Sequence, residues 1–152
     1  MDEIVLRGMA KWPNVPAVYG WLALDRRGDW RIKGERVANP MVTEFIGRNY
    51  SRDSRGCWFF QNGPQRVFVE LAYTPYVVHY EGEALLDHCA RPFTPENLFQ
   101  DEEGSVLIEG QGSIALLDDR DLERMVERAH ALPRMASADV AGRFGFVASP
   151  RP

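Results

Sequence analysis

WFFQNGPQRVFVEL, residues 58–71, is the stretch on which the fold turns. An aromatic run halts at Asn62-Gly63-Pro64. Then Val67, Val69, Leu71 and Tyr73 alternate with Arg66, Phe68, Glu70 and Ala72. Period-two alternation is the mark of a strand with two unlike faces. Asn-Gly is the strongest short hairpin signal, because both residues tolerate positive φ. The stretch therefore predicts an antiparallel hairpin turning at Asn62-Gly63.

Working outward, residues 17–25 and 30–37 read as strands flanking the turn Arg-Arg-Gly-Asp, with Trp30 and Ile32 on one face and Arg31 and Lys33 on the other. Asn39 is an N-cap candidate, and Pro40 suits the first helical position, where its missing N–H is not needed. Met41, Val42, Phe45 and Ile46 then predict a short helix near 40–48. Residues 76–80 form a strand behind Pro75. Residues 81–98 are ambiguous between strand and a helical turn. A hairpin is expected around DEEG (101–104), a strand at 112–118, and a longer helix near 119–132, where Leu122, Met125, Val126 and Ala129 follow the helical period. MASADVAG reads as loop and RFGFVAS as a last strand.

DRRGDWRI (25–32) and DSRGCWFF (53–60) share Asp-x-Arg-Gly-x-Trp, and DEEGSVLI (101–108) keeps Asp-x-x-Gly. Each reads as a turn whose glycine takes unusual φ, followed by a strand with a large inward residue. The expectation is an α+β fold of short antiparallel strands in hairpins, with two repeated motifs at 15–80 and 81–149 inside a single domain, 1–152. The rhythm does not suit a parallel α/β sheet.

The segment GWLALDRRGDWRIKG, continuing through NPMVTEFIGRNYSRDSRGCWFFQNGPQRVFVELAYTPYVV, resembles an uncharacterised proteobacterial family known only as a domain of unknown function. With SVLIEGQGSIALLDDRDLERMVERA and GRFGFVAS included, the motif order is also similar to a second, larger such family that pairs two structural motifs. That likeness implies an α+β fold with repeated motifs. It also implies the ligand-binding or signalling role suggested for the second family. It brings no catalytic residues.

Composition narrows the functional classes. At 45% hydrophobic, the 152 residues can build a real core. No run approaches the roughly 20 apolar residues that span a bilayer, and the acidic start lacks a signal-peptide pattern, so a cytoplasmic protein with reduced Cys57 and Cys89 is expected. Net charge is −4, split unevenly: residues 1–80 hold 11 Lys/Arg against 8 Asp/Glu, and residues 81–152 hold 7 against 14. Sixteen of the 18 cations are Arg, the residue of bidentate anion recognition. The acidic total and the absence of an RNP or helix-turn-helix motif disfavour nucleic acid.

No Cys-x-x-Cys, His-x-x-x-His or His-Glu-x-x-His spacing occurs, so no metal and no cofactor are expected. No Gly-x-Ser-x-Gly elbow marks a nucleophile. What folding leaves unexplained is a polar group around the central hairpin. Arg48, Gln61, Asn62, Gln65 and Arg66, with Trp58 and Tyr76 as apolar walls, are the candidate contacts for a small, anionic or partly apolar ligand, or for a protein partner. The competing expectation is an enzyme using His79 or His88 as acid/base.

Overall fold

The structure is a computed structural model that describes residues 13–125, 127 and 131–152. Two mixed β-sheets and short helices make an α+β fold. Residues 13–25, 29–72 and 146–152 cluster as one unit; Arg26–Gly28 and Tyr73–Gly145 cluster as the other.

In the first unit, β1 (Ala17–Leu24), β2 (Trp30–Ile32) and β3 (Glu35–Arg36) are followed by α1 (Pro40–Arg48), then β4 (Tyr50–Arg52), β5 (Trp58–Asn62) and β6 (Gln65–Leu71). The sheet order is β3-β2-β1-β6-β5-β4. In the second unit, β7 (Tyr76–Glu81), β8 (Ala84–Asp87), β9 (Asn97–Gln100), β10 (Val106–Gly110) and β11 (Ser113–Leu117) form the order β8-β7-β11-β10-β9. Apart from the extra β3, the two orders are the same: a hairpin, a crossover, then a three-strand meander whose last strand docks beside the first. That docking is parallel in both, β1 with β6 and β7 with β11. The remaining ladders are antiparallel, as the hairpin signals predict.

Sequence and structure agree closely on α1. Asn39 Oδ1 accepts from the backbone N–H of Met41 (2.9 Å) and Val42 (3.4 Å), and Pro40 opens the helix. Val42 and Ile46 are buried, and Phe45 meets Phe60 edge-on, with ring centroids 5.5 Å apart. On this face of the sheet lie Leu22, Leu24, Val67 and Val69, with Trp30, Tyr50 and Trp58 in a run of ring contacts at 5.1 and 4.9 Å. The second unit has its own core of Val78, Leu85, Phe93, Val106, Ile108, Ala115, Leu117 and Met125.

The turn at the centre of residues 58–71 differs by one residue from expectation. Asn62 pairs with Gln65, so the loop is Gly63-Pro64, with Gly63 alone at φ 57°. Glycine at the first central position and the fixed negative φ of proline at the second make a type II′ turn rather than I′.

The Asp-x-x-Gly echo is one loop built four times. Asp25, Asp53, Asp87 and Asp101 each donate their backbone N–H to the carbonyl four residues on, at 2.8–3.1 Å. Each Oδ1 accepts the N–H of that same residue: Asp29, Cys57, Arg91 and Ser105. In the last three, Oδ1 also takes the N–H two residues on. The fourth residue of each loop is left-handed: Gly28, Gly56, Ala90 and Gly104, at φ 83°, 84°, 63° and 85°. This is the three-residue hairpin geometry of a type I turn closed by a left-handed residue. The copy at Asp87 carries alanine instead of glycine, which conceals it in the sequence.

Two regions depart from the sequence reading. Where a longer helix is expected near 119–132, Asp119–Met125 is a 3-10 helix; Val126 and residues 128–130 lie outside the described residues. Asp118 explains the tighter turn. Its carbonyl takes the Asp121 N–H at 2.9 Å, an i to i+3 bond, and its Oδ1 takes the Arg120 N–H. The stretch read as loop and last strand is instead α2, Ser137–Phe144, ended by Gly145 at φ 67°. Only Val147 keeps a strand-like contact, a bridge to Cys57. Beyond α2 the chain rejoins the first unit: Val147 N donates to Gly56 O, and Leu71 N donates to Ala148 O.

Candidate functional site

Alternation along β5 and β6 puts Cys57, Phe59 and Gln61, with Arg66 and Phe68, on the face of the first sheet opposite α1. Phe59 stands across from Phe68, with centroids 5.9 Å apart. Tyr19 of β1 stacks nearly flat on Phe68, at 4.7 Å and 6°. Two guanidiniums cover this row of rings. Arg66 lies 4.2 Å from the Phe59 centroid, and Arg55 lies 5.8 Å from that of Phe68.

The two arginines differ. Arg55 is engaged with Asp53, which is in turn the clamp of its own loop. Hydrogen bonds from the Cys57 and Arg55 backbone, together with the Arg55 charge, overcome desolvation and hold the Asp53 carboxyl below its ordinary range. Arg66 is exposed, and no carboxylate is ion-paired with it among the described residues. A ring beneath a guanidinium fixes its plane and leaves the N–H edge to solvent.

The three amides predicted beside it are brought together, and they serve the hairpin. Gln61 Nε2 donates to Gly63 O (2.7 Å) and Gln65 O (3.3 Å). Asn62 Nδ2 donates to Gln65 Oε1 (3.1 Å). Gln65 Nε2 donates to Pro13 O (2.8 Å) and Val15 O (2.7 Å), which ties down the segment leading into β1. Trp58 lies in the core against Tyr50 on the other face. Arg48 closes α1, 5.9 Å from the Phe45 ring. Tyr76 belongs to the second unit, beside Phe93 and His88. Of the seven predicted residues, Arg48 and Arg66 are the exposed cations, and Arg66 lies nearer its ring, at 4.2 Å against 5.9 Å. Sequence reasoning missed Arg55, Phe59, Phe68 and Tyr19. The Phe59–Phe68 pair follows from the register of the hairpin, whereas Tyr19 joins that face through the parallel docking of β1 beside β6.

The second unit has a cavity of about 90 Å³ lined by Arg26, Ser105, Leu116, Leu117, Asp119 and Leu122. Arg26 Nη2 donates to Ser105 Oγ at 3.0 Å, and the guanidinium sits 4.9 Å from the Tyr73 centroid. Tyr73 O–H donates to Asp101 Oδ2 at 2.8 Å, and burial with that bond raises its pKa.

The acid/base candidates have other surroundings. His79 Nε2 is 3.3 Å from Glu81 on an exposed hairpin. His88 Nδ1 accepts the Val77 N–H at 3.3 Å, which requires a neutral ring protonated at Nε2. Desolvation, aided by the Arg91 charge, pulls its pKa down to about 3. Neighbouring Cys89 is pushed up to about 12 by burial and by Asp87, so it remains a thiol, the reverse of an activated nucleophile. Among the described residues no three His, Cys, Asp or Glu gather as a metal site.

His88 has a consequence for stability. Its folded pKa lies below the unfolded value of 6.5, so between about pH 6.5 and 3 the unfolded chain binds the extra proton. Stability is therefore full above pH 6.5 and falls on acidification, by up to about 1.4 kcal/mol per pH unit from this group. Urea midpoints at pH 7 and pH 5 measure it. The drop between them should shrink in His88→Gln, and an unchanged drop would assign it to other groups.

Comparison with known proteins comes to the same architecture. A crystal structure of a DUF1285 family protein from Silicibacter pomeroyi matches with a TM-score of 0.55 and 14% identity, over 84% of each chain. One from Shewanella baltica matches with a TM-score of 0.53 and 12% identity, over 70% of this chain and 90% of that one. At these identities the likeness concerns the fold alone. No curated protein matches the sequence. A family model described as "Protein of unknown function (DUF2946)" matches residues 1–151.

Proposed function

Because the chain belongs to that family of unknown function, its role has to come from its own side chains, and we propose that it is a binding module for an anionic ligand or partner, with Arg66 as the anchor. The observation that carries this reading is the exposed Arg66 guanidinium, stacked 4.2 Å from Phe59 with no acidic partner among the described residues. A cation with a fixed plane and an open donor edge suits a carboxylate or phosphate, which it can grip with two parallel hydrogen bonds. Arg55 and the Tyr19–Phe68 stack continue the same face and favour a ligand that is partly apolar. The half-buried Gln61, Asn62 and Gln65 network ties the hairpin together beside the anchor, which limits the ordering cost of binding. A cytoplasmic, regulatory setting fits this role and the two free cysteines.

A ligand that binds only the folded state raises the unfolding midpoint. Thermal-shift titration with dicarboxylates, phosphorylated metabolites and acidic peptides is expected to find at least one class that does so. Arg66→Ala should then weaken that ligand roughly 10- to 100-fold, the range for a hydrogen bond to a charged group. Arg66→Lys should recover part of the loss, because charge is kept while the fork is lost. A shift that survives Arg66→Ala unchanged, or no shift with any class, would sink the reading.

A further inference from the structure

The cavity of the second unit has a chemistry of its own. One wall carries Arg26, whose partners are the Ser105 hydroxyl and the Tyr73 ring, and no carboxylate is paired with it among the described residues. The apolar part of the lining is Leu116, Leu117 and Leu122. Asp119 also lines it and lies 3.5 Å from Arg27. Its acidic neighbours are engaged elsewhere. Asp118 holds Arg120 through both oxygens, and Asp121 accepts the Tyr80 N–H at 2.9 Å. With Asp119 matched by Arg27, the charge left over at the cavity is one cation.

Arg26 is also held in position. Its guanidinium rests on Tyr73, whose hydroxyl donates to the buried Asp101. Asp101 is the clamp of the loop that presents Ser105, because its Oδ1 takes the Ser105 N–H at 2.9 Å. One carboxylate therefore fixes the ring beneath the guanidinium and the hydroxyl beside it. The Ser105 oxygen accepts from Arg26, so its proton is directed to a second acceptor.

We propose that this cavity is a binding site for a short-chain monocarboxylate, whose carboxylate is taken by Arg26 and Ser105 and whose alkyl chain lies on Leu116, Leu117 and Leu122. At about 90 Å³ the cavity has room for an acyl chain of only roughly three to five carbons. A second carboxylate would have to lie on the leucine lining with no further cation of the cavity to pair it, so dicarboxylates are disfavoured. An amine offers nothing to Arg26. The site lies in the second unit and is independent of Arg66.

Calorimetric titration of the full chain with butyrate, butylamine and succinate tests this. A ligand this small is expected to bind with Kd near 1 mM, which asks of each heavy atom about half the affinity that the best small ligands reach. Butyrate should saturate, and butylamine and succinate should not. Arg26→Gln should weaken butyrate at least 10-fold. Arg66→Ala should change nothing here, which separates the failure of this site from failure of the first. No saturable butyrate binding up to about 20 mM, equal binding of butylamine, or unchanged binding in Arg26→Gln would each overturn the proposal. Arg26→Gln alters an exposed side chain, and thermal unfolding confirms that it remains folded.

Discussion

Gly110→Ala is expected to destabilise the second unit by about 3 kcal/mol, at the upper end of what overpacking costs. Gly110 ends β10, and a Cβ there would press into the Thr94 carbonyl oxygen and stand 2.8 Å from the Phe93 ring. The carbonyl belongs to the backbone of the neighbouring segment and cannot rotate away as a side chain could. Phe93 is itself core, buried with Val78, Leu85 and Ile108, so its ring has no free space to enter. Both neighbours must move together, and the Glu96 N–H to Glu109 O bond beside them moves too. Gly142→Ala is the control. It lies in α2, nothing stands within 4 Å of its Cβ position, and alanine there should be neutral or stabilising by up to about 1 kcal/mol. Urea denaturation of the two variants reads the contrast. If Gly110→Ala matched Gly142→Ala, the packing of Phe93 and Thr94 against β10 would be wrong.

Asp101→Ala is the second large effect, also about 3 kcal/mol, and it arises from hydrogen bonding rather than volume. Asp101 is 1% exposed. Its side chain satisfies three donors: Glu103 N and Ser105 N at Oδ1, and Tyr73 O–H at Oδ2. Alanine strands all of them, and each stranded buried donor costs about 1–3 kcal/mol, less whatever water recovers at the loop. Asp101→Asn keeps the Oδ1 acceptor and should lose only about 1 kcal/mol. In a chain of this size the alanine variant should melt roughly 10 °C lower. Because Asp101 also seats Tyr73 and Ser105, the same variant should weaken binding at Arg26. Equal melting temperatures for the alanine and asparagine variants would contradict the clamp role.

The features legible in the sequence are those fixed by neighbours along the chain. Asn39 and Pro40 start a helix through bonds that reach two and three residues, so α1 could be placed to the residue. Alternation at 65–73 located β6, and the Asp-x-x-Gly echo located three of the four clamped loops. Features that depend on distant partners were not legible. Parallel docking of β1 on β6 and of β7 on β11 spans a whole meander, and no local pattern encodes it. The helix at 137–144 contains Ser, Asp and Gly, all poor interior formers, and buries only Val140, so periodicity gave no signal. The Gly63-Pro64 turn was displaced because Asn-Gly is a strong signal that Pro64 overrides by fixing its own φ. At the candidate site, Gln61 and Gln65 looked surplus to folding because their acceptors, the Gly63, Pro13 and Val15 carbonyls, are backbone groups that no sequence pattern marks. Arg66 is exposed, and the ring beside it, Phe59, is buried with Cys57 and Phe68, a neighbour that the hairpin pattern alone does not mark as a platform.

The return of residues 146–152 to the first unit places a delay in biosynthesis. When a ribosome has released β1 to β6, the amide of Leu71 still lacks Ala148, and Cys57 still lacks its bridge to Val147. Both partners are translated only after the whole of Tyr73–Gly145. At typical elongation rates that interval lasts roughly 4–15 s. For those seconds the nascent chain carries unpaired backbone groups beside β5 and at the end of β6 that the mature protein pairs. That interval is when a chaperone would meet the first sheet still lacking its last segment.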